Sequence, residues 1–277
     1  MTVAGVLAAV LLLFILLYLW LIMPGLRKRK EDALFSGFLY AHRGLHDNKT
    51  DAPENSLAAF GLAADKGYGI ELDIQLTSDK IPVVFHDFTL DRVCGVKGKV
   101  SDYTYQQLQE FSLCGSEQKI PLFSEVLKLV DGRVPIIVEF KVERTDLTLC
   151  PVADKLLRAY KGPFCMESFN PLAVRWYRKN HPQVMRGQLS DGFHATQYRG
   201  PLYFLLENLL FNFLTKPDFI AYNHECAGNL SRRLCRGFYR NTAVAWTIRS
   251  EEELEKARKY FDLFIFENFL PDNGKEK

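Results

Sequence analysis

The chain has 277 residues, a quarter of them charged, with 35 Lys and Arg against 33 Asp and Glu and a net charge of +2. The tetrad Arg27-Lys28-Arg29-Lys30 carries +4, which leaves −2 for the rest, so no basic excess points to nucleic acid. Six cysteines (Cys94, Cys114, Cys150, Cys165, Cys226 and Cys235) are scattered without a C-x-x-C pair and read as reduced packing residues rather than a disulfide framework.

In chain order, residues 3–23 come first, a run of 21 residues without a charge. At ~1.5 Å per residue this run is about 31 Å long, close to the ~30 Å hydrocarbon core of a bilayer. A signal peptide is the rival reading, but Met1 and Thr2 supply no basic n-region and Leu21-Ile22-Met23-Pro24 is a poor cleavage site. A buried globular helix would have a polar face, which this segment lacks. Residues 1–30 are therefore expected to be an uncleaved single-pass anchor with a basic flank. Because the flank follows the apolar run and no Lys or Arg precedes it, the body is expected on the cytoplasmic side. The flank could also touch anionic lipid headgroups.

Residues 38–272 carry no linker, composition break or repeat and suit one domain. Strands are predicted over 38–41, 69–76, 82–85, 134–140, 164–169, 184–189, 218–222, 243–248 and 263–266. Helices are predicted over 55–66, 122–130, 147–160, 171–180, 231–239 and 251–261. This βα rhythm implies a parallel sheet, because parallel neighbours need crossovers, and its length fits a (β/α)8 barrel of roughly 250 residues. The strand candidates exceed eight, so at least one lies outside such a barrel. Two inserts break the rhythm. Residues 89–119 are mixed polar, and long loops at a barrel's C-terminal face shape substrate pockets. Residues 201–214 (PLYFLLENLLFNFL) are too short to cross a membrane as a helix and read first as a buried helix; the alternative is an interfacial helix or the wall of an acyl pocket.

Five polar clusters stand at or just past apolar strands: His42-Arg43-Gly44, Glu54-Asn55, Glu71-x-Asp73, His86-Asp87 and Glu139-x-Lys141. Glu71 and Asp73, two apart on a strand, share one face, and on Ile70-Glu71-Leu72-Asp73-Ile74 that face is the barrel interior. Two unpaired buried carboxylates are costly. A divalent metal resolves the cost, and a salt bridge to Lys or Arg is the plainer alternative. Glu139 repeats the pattern on a second strand, and oxygen donors without paired cysteines favour Mg²⁺ or Ca²⁺ over zinc. His42 and His86, each at a strand end, read as equivalents in successive βα units and suit a general acid/base pair. Arg43 can fork onto a phosphate oxygen and Lys141 can add positive charge. Glu54-Asn55, after Pro53, starts a helix, for which capping is the plain reading.

The set His42-Arg43-Gly44, Pro53-Glu54-Asn55-Ser56, Glu71-Leu72-Asp73, His86-Asp87, Glu139-Phe140-Lys141, Ser168-Phe169 and Trp246-Thr247 resembles the glycerophosphodiester phosphodiesterase family, in order from Tyr40 to Pro271. The resemblance implies a TIM barrel of the phospholipase-C-like phosphodiesterase type. The expected reaction is hydrolysis of glycerophosphodiesters to glycerol 3-phosphate and an alcohol. It implies one divalent cation held by Glu71, Asp73 and Glu139, and His42 and His86 as acid/base residues. In the family's mechanism the substrate's glycerol 2-hydroxyl attacks phosphorus and a cyclic phosphate then opens to water. Arg43, Glu54, Asn55, Lys141 and Trp246 match substrate-binding positions. Glu267 departs from the family's Asp or Asn near the last strand, which bears on substrate preference. Two other readings stay open: a lysophospholipase D, and an inactive membrane-tethered phosphate-binding protein.

Overall fold

The computed structural model describes residues 2–26, 32–193 and 200–272; the basic tetrad lies outside them. The strands are β1 (Leu39–His42), β2 (Gly69–Leu76), β3 (Pro82–Val84), β4 (Ile136–Phe140), β5 (Phe164–Ser168), β6 (Arg186–Ser190), β7 (Phe219–Asn223), β8 (Thr242–Ile248) and β9 (Leu263–Phe266). All but β3 are parallel, in the order β1-β9-β8-β7-β6-β5-β4-β2, and β1 pairs with β2 to close the barrel. The fold is a TIM barrel, as the βα rhythm predicts. The supernumerary strand is β3. It runs antiparallel on the C-terminal end of β2, with Ile74 opposite Val84, beyond the stretch where β1 pairs. The expectation that His42 and His86 end equivalent βα units is thereby corrected. His86 follows a hairpin strand that folds back over the barrel mouth, not a barrel strand.

Alternation sorts the side chains. Ile70, Leu72 and Ile74 of β2, with Ile136, Val138 and Phe140 of β4, face outward into the layer of helices. Tyr40, Ile137, Cys165, Phe219, Val244 and Ile265 fill the barrel interior. Glu71, Asp73 and Glu139 share that interior, nearer the C-terminal ends of the strands, which is where catalytic residues of such barrels gather. Glycines open space for the lower rings: a Cβ on Gly69 would lie 2.5 Å from the ring of Tyr40, and one on Gly187 would overlap the ring of Phe219.

The insert after β3 builds its own small core, in which Val83 and Phe85 meet Leu90, Val93, Val100, Leu108, Leu113 and Ile120. Residues 201–214 are not one buried helix. Leu209 adopts a left-handed backbone (φ 56°) and divides them into helices Pro201–Glu207 and Asn212–Thr215. The first buries none of its residues, and Leu202 and Phe204 are 55% and 61% exposed. The polar Glu207 and Asn208 break the apolar run and leave room for a two-sided segment.

The N-terminal helix, Val3–Ile22, is long and apolar enough to cross a membrane. Its residues up to Leu17 are exposed, whereas its last turn docks on the barrel. Tyr18 Oη bonds Ser231 Oγ at 2.8 Å, Tyr239 Oη donates to Leu19 O at 2.8 Å and Asn212 Nδ2 donates to Ile22 O at 2.9 Å. Ile22 joins the outer core.

Gly187→Ala is expected to destabilise the barrel by about 1–3 kcal/mol, because the fully enclosed Phe219 ring cannot retreat. This is a fall of several degrees in the thermal midpoint at ~2–4 °C per kcal/mol for a domain of this size. An unchanged midpoint would contradict the packing described.

Candidate active site

Glu71 and Asp73 lie on β2, and the register sets Asp73 beside Glu139 on β4 and Glu139 beside Glu167 on β5. Ligand atoms of Glu71, Asp73 and Glu139 lie within 4.8 Å of one another. All four carboxyl groups are buried. Burial pushes the Glu71 carboxyl well above its ordinary pKa, and the neighbouring Asp73, Glu167 and Glu139 push it further. Burial and the Glu139 charge likewise push Glu167 well up. Glu139 is also raised by burial, against the pull of Lys141. Asp73 is the exception: burial acts upward, but His86, Lys141, Arg43 and the Asn55 amide together hold its carboxyl well below the usual range.

Lys141 Nζ reaches Glu139 Oε1 at 3.0 Å and Asp73 Oδ1 at 3.5 Å, and Asn55 Nδ2 donates to Asp73 Oδ2 at 3.0 Å. The salt-bridge alternative thus holds in part, since Lys141 and Arg43 Nε, 3.7 Å from Asp73 Oδ2, both pair with the cluster, yet two cations face four carboxyl groups. Asp73 Oδ1 and Glu167 Oε2 are buried without a hydrogen-bond partner among the described residues. Converging carboxylate oxygens with no thiolate among them fit a hard divalent cation, Mg²⁺ or Ca²⁺. Glu167 escaped the sequence reading, which stopped at Ser168-Phe169. Its signal was the inward alternation it shares with Cys165 on β5.

His42 ends β1 with its ring inside the barrel. Its Nδ1 donates to Glu267 Oε2 at 2.5 Å, just past β9, and its Nε2 lies 3.9 Å from Glu71 Oε2. The His42 and Arg249 contacts overcome burial and lower Glu267 to about 2, so it is an ionised acceptor. Burial and the Arg43 charge lower His42 to about 4. The ring is therefore neutral near pH 7, with its proton on Nδ1 and Nε2 free as a base. Arg43 turns the chain sharply (φ 57°), so that its amide donates to Glu71 Oε2 at 3.2 Å. Gly44 is required next: φ is +84°, and a Cβ there would lie 2.8 Å from the backbone of Ala59.

Neither Glu54 nor Asn55 caps the following helix. The cap of helix Leu57–Asp65 is Ser56, whose side chain accepts from the Ala59 amide. Glu54 is held ionised, at about 2 despite burial, by Arg92, Arg43 and Asn48. It accepts from Arg43 Nη1 at 2.7 Å and from both terminal nitrogens of Arg92, each at 2.7 Å. Arg92 Nε also donates to Asp87 Oδ2 at 2.6 Å, and Asp87 Oδ1 bonds His86 Nδ1 at 2.6 Å. A continuous chain of charges therefore runs from Arg43 to His86 through the insert. Gln75 Nε2 donates to the carbonyls of Phe85 and Asp87 at 2.7 Å and fixes the loop beneath His86. Neither Arg92 nor Gln75 carried a motif, because each acts on neighbours distant in sequence.

A cavity of about 580 Å³ unites these parts, with His42, Arg43, His86, Glu71 and Lys141 on one side and Phe169, Leu189, Phe193, Tyr203, Leu206 and Trp246 on the other. Trp246 meets Phe169 edge to face at 5.7 Å. Glu54 and Asn55 stand behind this wall and position Arg43 and Asp73. An adjoining groove of about 620 Å³ shares Phe169, Tyr203 and Leu206 and continues to Leu202, Phe211 and Leu214.

Replacing Asn55 by glycine keeps its left-handed backbone (φ 56°) and removes the amide that steers Asp73. Asn55→Gly is expected to weaken Mg²⁺ or Ca²⁺ binding by about 10–100-fold in titration calorimetry; equal affinities would show that Asp73 needs no such support.

The profile of the glycerophosphoryl diester phosphodiesterase family matches residues 42–262. A glycerophosphodiester phosphodiesterase of Caldanaerobacter subterraneus is 35% identical over 162 residues, 54% of this chain and 65% of that protein. One of Bacillus altitudinis is 39% identical over 114 residues, 39% of this chain and 45% of that protein. The matched stretches thus span less than two thirds of these two relatives. Among solved structures, a Thermotoga maritima glycerophosphodiester phosphodiesterase superposes with a TM-score of 0.64 at 25% identity, over 83% of this chain and 94% of that one. An Oleispira antarctica phosphodiesterase in complex with sn-glycerol-3-phosphate superposes with a TM-score of 0.67 at 22% identity, over 84% and 93%, a likeness of fold. With the family profile covering the barrel from His42 almost to β9, the chain belongs to the glycerophosphoryl diester phosphodiesterase family.

Proposed function

We propose that the protein is a metal-dependent phosphodiester hydrolase that cleaves glycerophosphodiesters to glycerol 3-phosphate and an alcohol. The observation that carries this reading is the meeting of His42, His86, Arg43, Lys141, Glu71 and Glu139 on one cavity, with Asp73 clustered against the two glutamates. The solved Oleispira relative, which holds sn-glycerol-3-phosphate, supports the same product class. Glu71, Asp73 and Glu139 would hold the divalent cation, which supplies positive charge to the phosphate and the developing oxyanion when bound.

Within this frame the chain's own residues divide the work. Arg43 and Lys141 face the phosphate and offset charge as it develops. His42, neutral and oriented by Glu267, takes the proton of the glycerol 2-hydroxyl on Nε2. That hydroxyl oxygen bonds to phosphorus as the bond to the leaving alkoxide breaks. His86, oriented by Asp87, gives a proton to that alkoxide. The cyclic phosphate then opens when the returning histidines deprotonate water and protonate the 2-oxygen. Trp246 and Phe169 form an apolar wall against the carbon skeleton.

The helix Val3–Ile22 serves in this reading as a membrane anchor. The docking of its last turn into the barrel supports retention rather than removal as a signal peptide. The basic residues after it argue for a cytoplasmic barrel. A lysophospholipase D is the second reading, favoured by the apolar half of the cavity and its continuation toward Leu202 and Leu214. An inactive phosphate-binding protein has less support, since no catalytic position is missing from the cavity.

His42→Ala and His86→Ala are each expected to lower kcat by about 10²–10⁴-fold in a glycerol 3-phosphate release assay; full activity in either would remove that residue from the chemistry. Comparison of choline release from lysophosphatidylcholine and from glycerophosphocholine separates the two substrate readings. The lysophospholipase reading predicts the faster rate on the lysolipid, and a rate only on the deacylated diester rejects it.

A further inference from the structure

The N-terminal helix fixes the direction in which the barrel meets its membrane. Tyr18 and Ile22, one turn apart, touch Ser231 and Cys235, also one turn apart, on helix Leu230–Gly237. Two such contacts in the same order mean that the helices run side by side in the same direction. Helix Leu230–Gly237 follows β7 and leads to β8, so it descends from the catalytic face of the barrel to the opposite face. The N-terminal helix descends with it, and beyond its end the Gly25 amide donates to Pro217 O at 2.9 Å, at the foot of β7. Its free residues 3–17 therefore project past the catalytic face, not away from it.

Length strengthens the point. Fifteen exposed residues extend about 22 Å, short of the ~30 Å of a hydrocarbon core. If the helix spans a bilayer, the membrane boundary must come down to the level of Tyr18, onto the barrel's catalytic rim. The rim beside the anchor is apolar there. Leu230, at the top of the helix that Tyr18 touches, is 58% exposed, and Leu202 and Phe204 project from helix Pro201–Glu207. That helix is tied to the same rim: Tyr222 Oη and Asn229 Nδ2 both donate to Glu207 O, and Ser190 Oγ donates to Leu206 O. Its other side, Tyr203 and Leu206, lines the catalytic cavity.

We infer that the catalytic rim is a membrane-contact surface, with Leu202, Phe204 and Leu230 seated in the headgroup layer of the bilayer that the N-terminal helix enters. The cavity then opens onto that layer, and helix Pro201–Glu207 separates lipid from the active centre by the thickness of one helix. Substrates that lie in the interface reach it without leaving the membrane. The inference rests on the anchor reading and adds the face that the barrel turns toward the lipid.

The test is nitroxide accessibility in the full-length protein, reconstituted in phosphatidylcholine/phosphatidylglycerol vesicles, with the half-buried Cys94, Cys114 and Cys226 changed to serine. Labels are placed by Leu11→Cys in the anchor, Phe204→Cys on the rim and Lys161→Cys at the opposite end of the barrel, ahead of β5; Leu202→Cys is a second rim site. The inference predicts that rim labels resemble Leu11, with collisions with oxygen favoured and those with a water-soluble nickel chelate reduced severalfold relative to Lys161. Rim labels as open to nickel as Lys161, with Leu11 protected, would overturn the inference and leave the anchor standing. A Leu11 label open to nickel would overturn the anchor and the inference together.

Discussion

The carboxyl groups of Glu71, Asp73, Glu139 and Glu167 meet on the inner wall of a closed barrel, and their crowding governs the charges around them. Two like charges 4 Å apart repel by about 4 kcal/mol at an effective dielectric of ~20. Hydrophobic packing of the lower barrel cannot be rearranged to separate them, because strand register fixes where each side chain points. The neighbourhood is therefore basic: Lys141 bridges Glu139 and Asp73, Arg43 approaches Asp73, and Asn55 donates to it. These two cations face four carboxyl groups, and a divalent cation would add positive charge where the oxygens of Glu71, Asp73 and Glu139 converge.

The same crowding explains how the two histidines differ. His42 is enclosed beside Arg43 and paired to Glu267, which fixes one tautomer and leaves Nε2 toward the carboxylates. His86 sits on a loop above the barrel, held by Asp87 and, through Arg92 and Glu54, by the same Arg43. The insert that carries Arg92 has its own small core, so this charge chain hangs from a firm platform rather than from a flexible loop. Arg43 and His86 are in this way positioned by one connected network.

Much of this was legible in the sequence where periodicity alone decides. The Ile70-Glu71-Leu72-Asp73-Ile74 alternation places two carboxylates inside on pattern alone, and β2 appears with the predicted bounds. The direction of β3 was not legible, since a three-residue apolar strand carries no mark of parallel or antiparallel pairing. Glu267 was visible as a departure from the family, but its bond to His42 joins residues 225 apart and exists only because β9 closes against β1. The apolar composition of residues 201–214 suggested burial, and the structure instead turns Leu202 and Phe204 outward. Composition reports how much apolar surface a segment has, not whether protein or lipid covers it.

In the proposed mechanism, phosphodiester hydrolysis requires a cation in the carboxylate cluster. Phosphorus NMR of glycerophosphoethanolamine with the full-length protein tests it most directly, run after exhaustive chelation and then with Mg²⁺ or Ca²⁺ restored. No reaction is expected in the chelated sample, and the glycerol 3-phosphate resonance should grow once a cation is returned. Undiminished turnover in the chelated protein, or none under any condition, would contradict it.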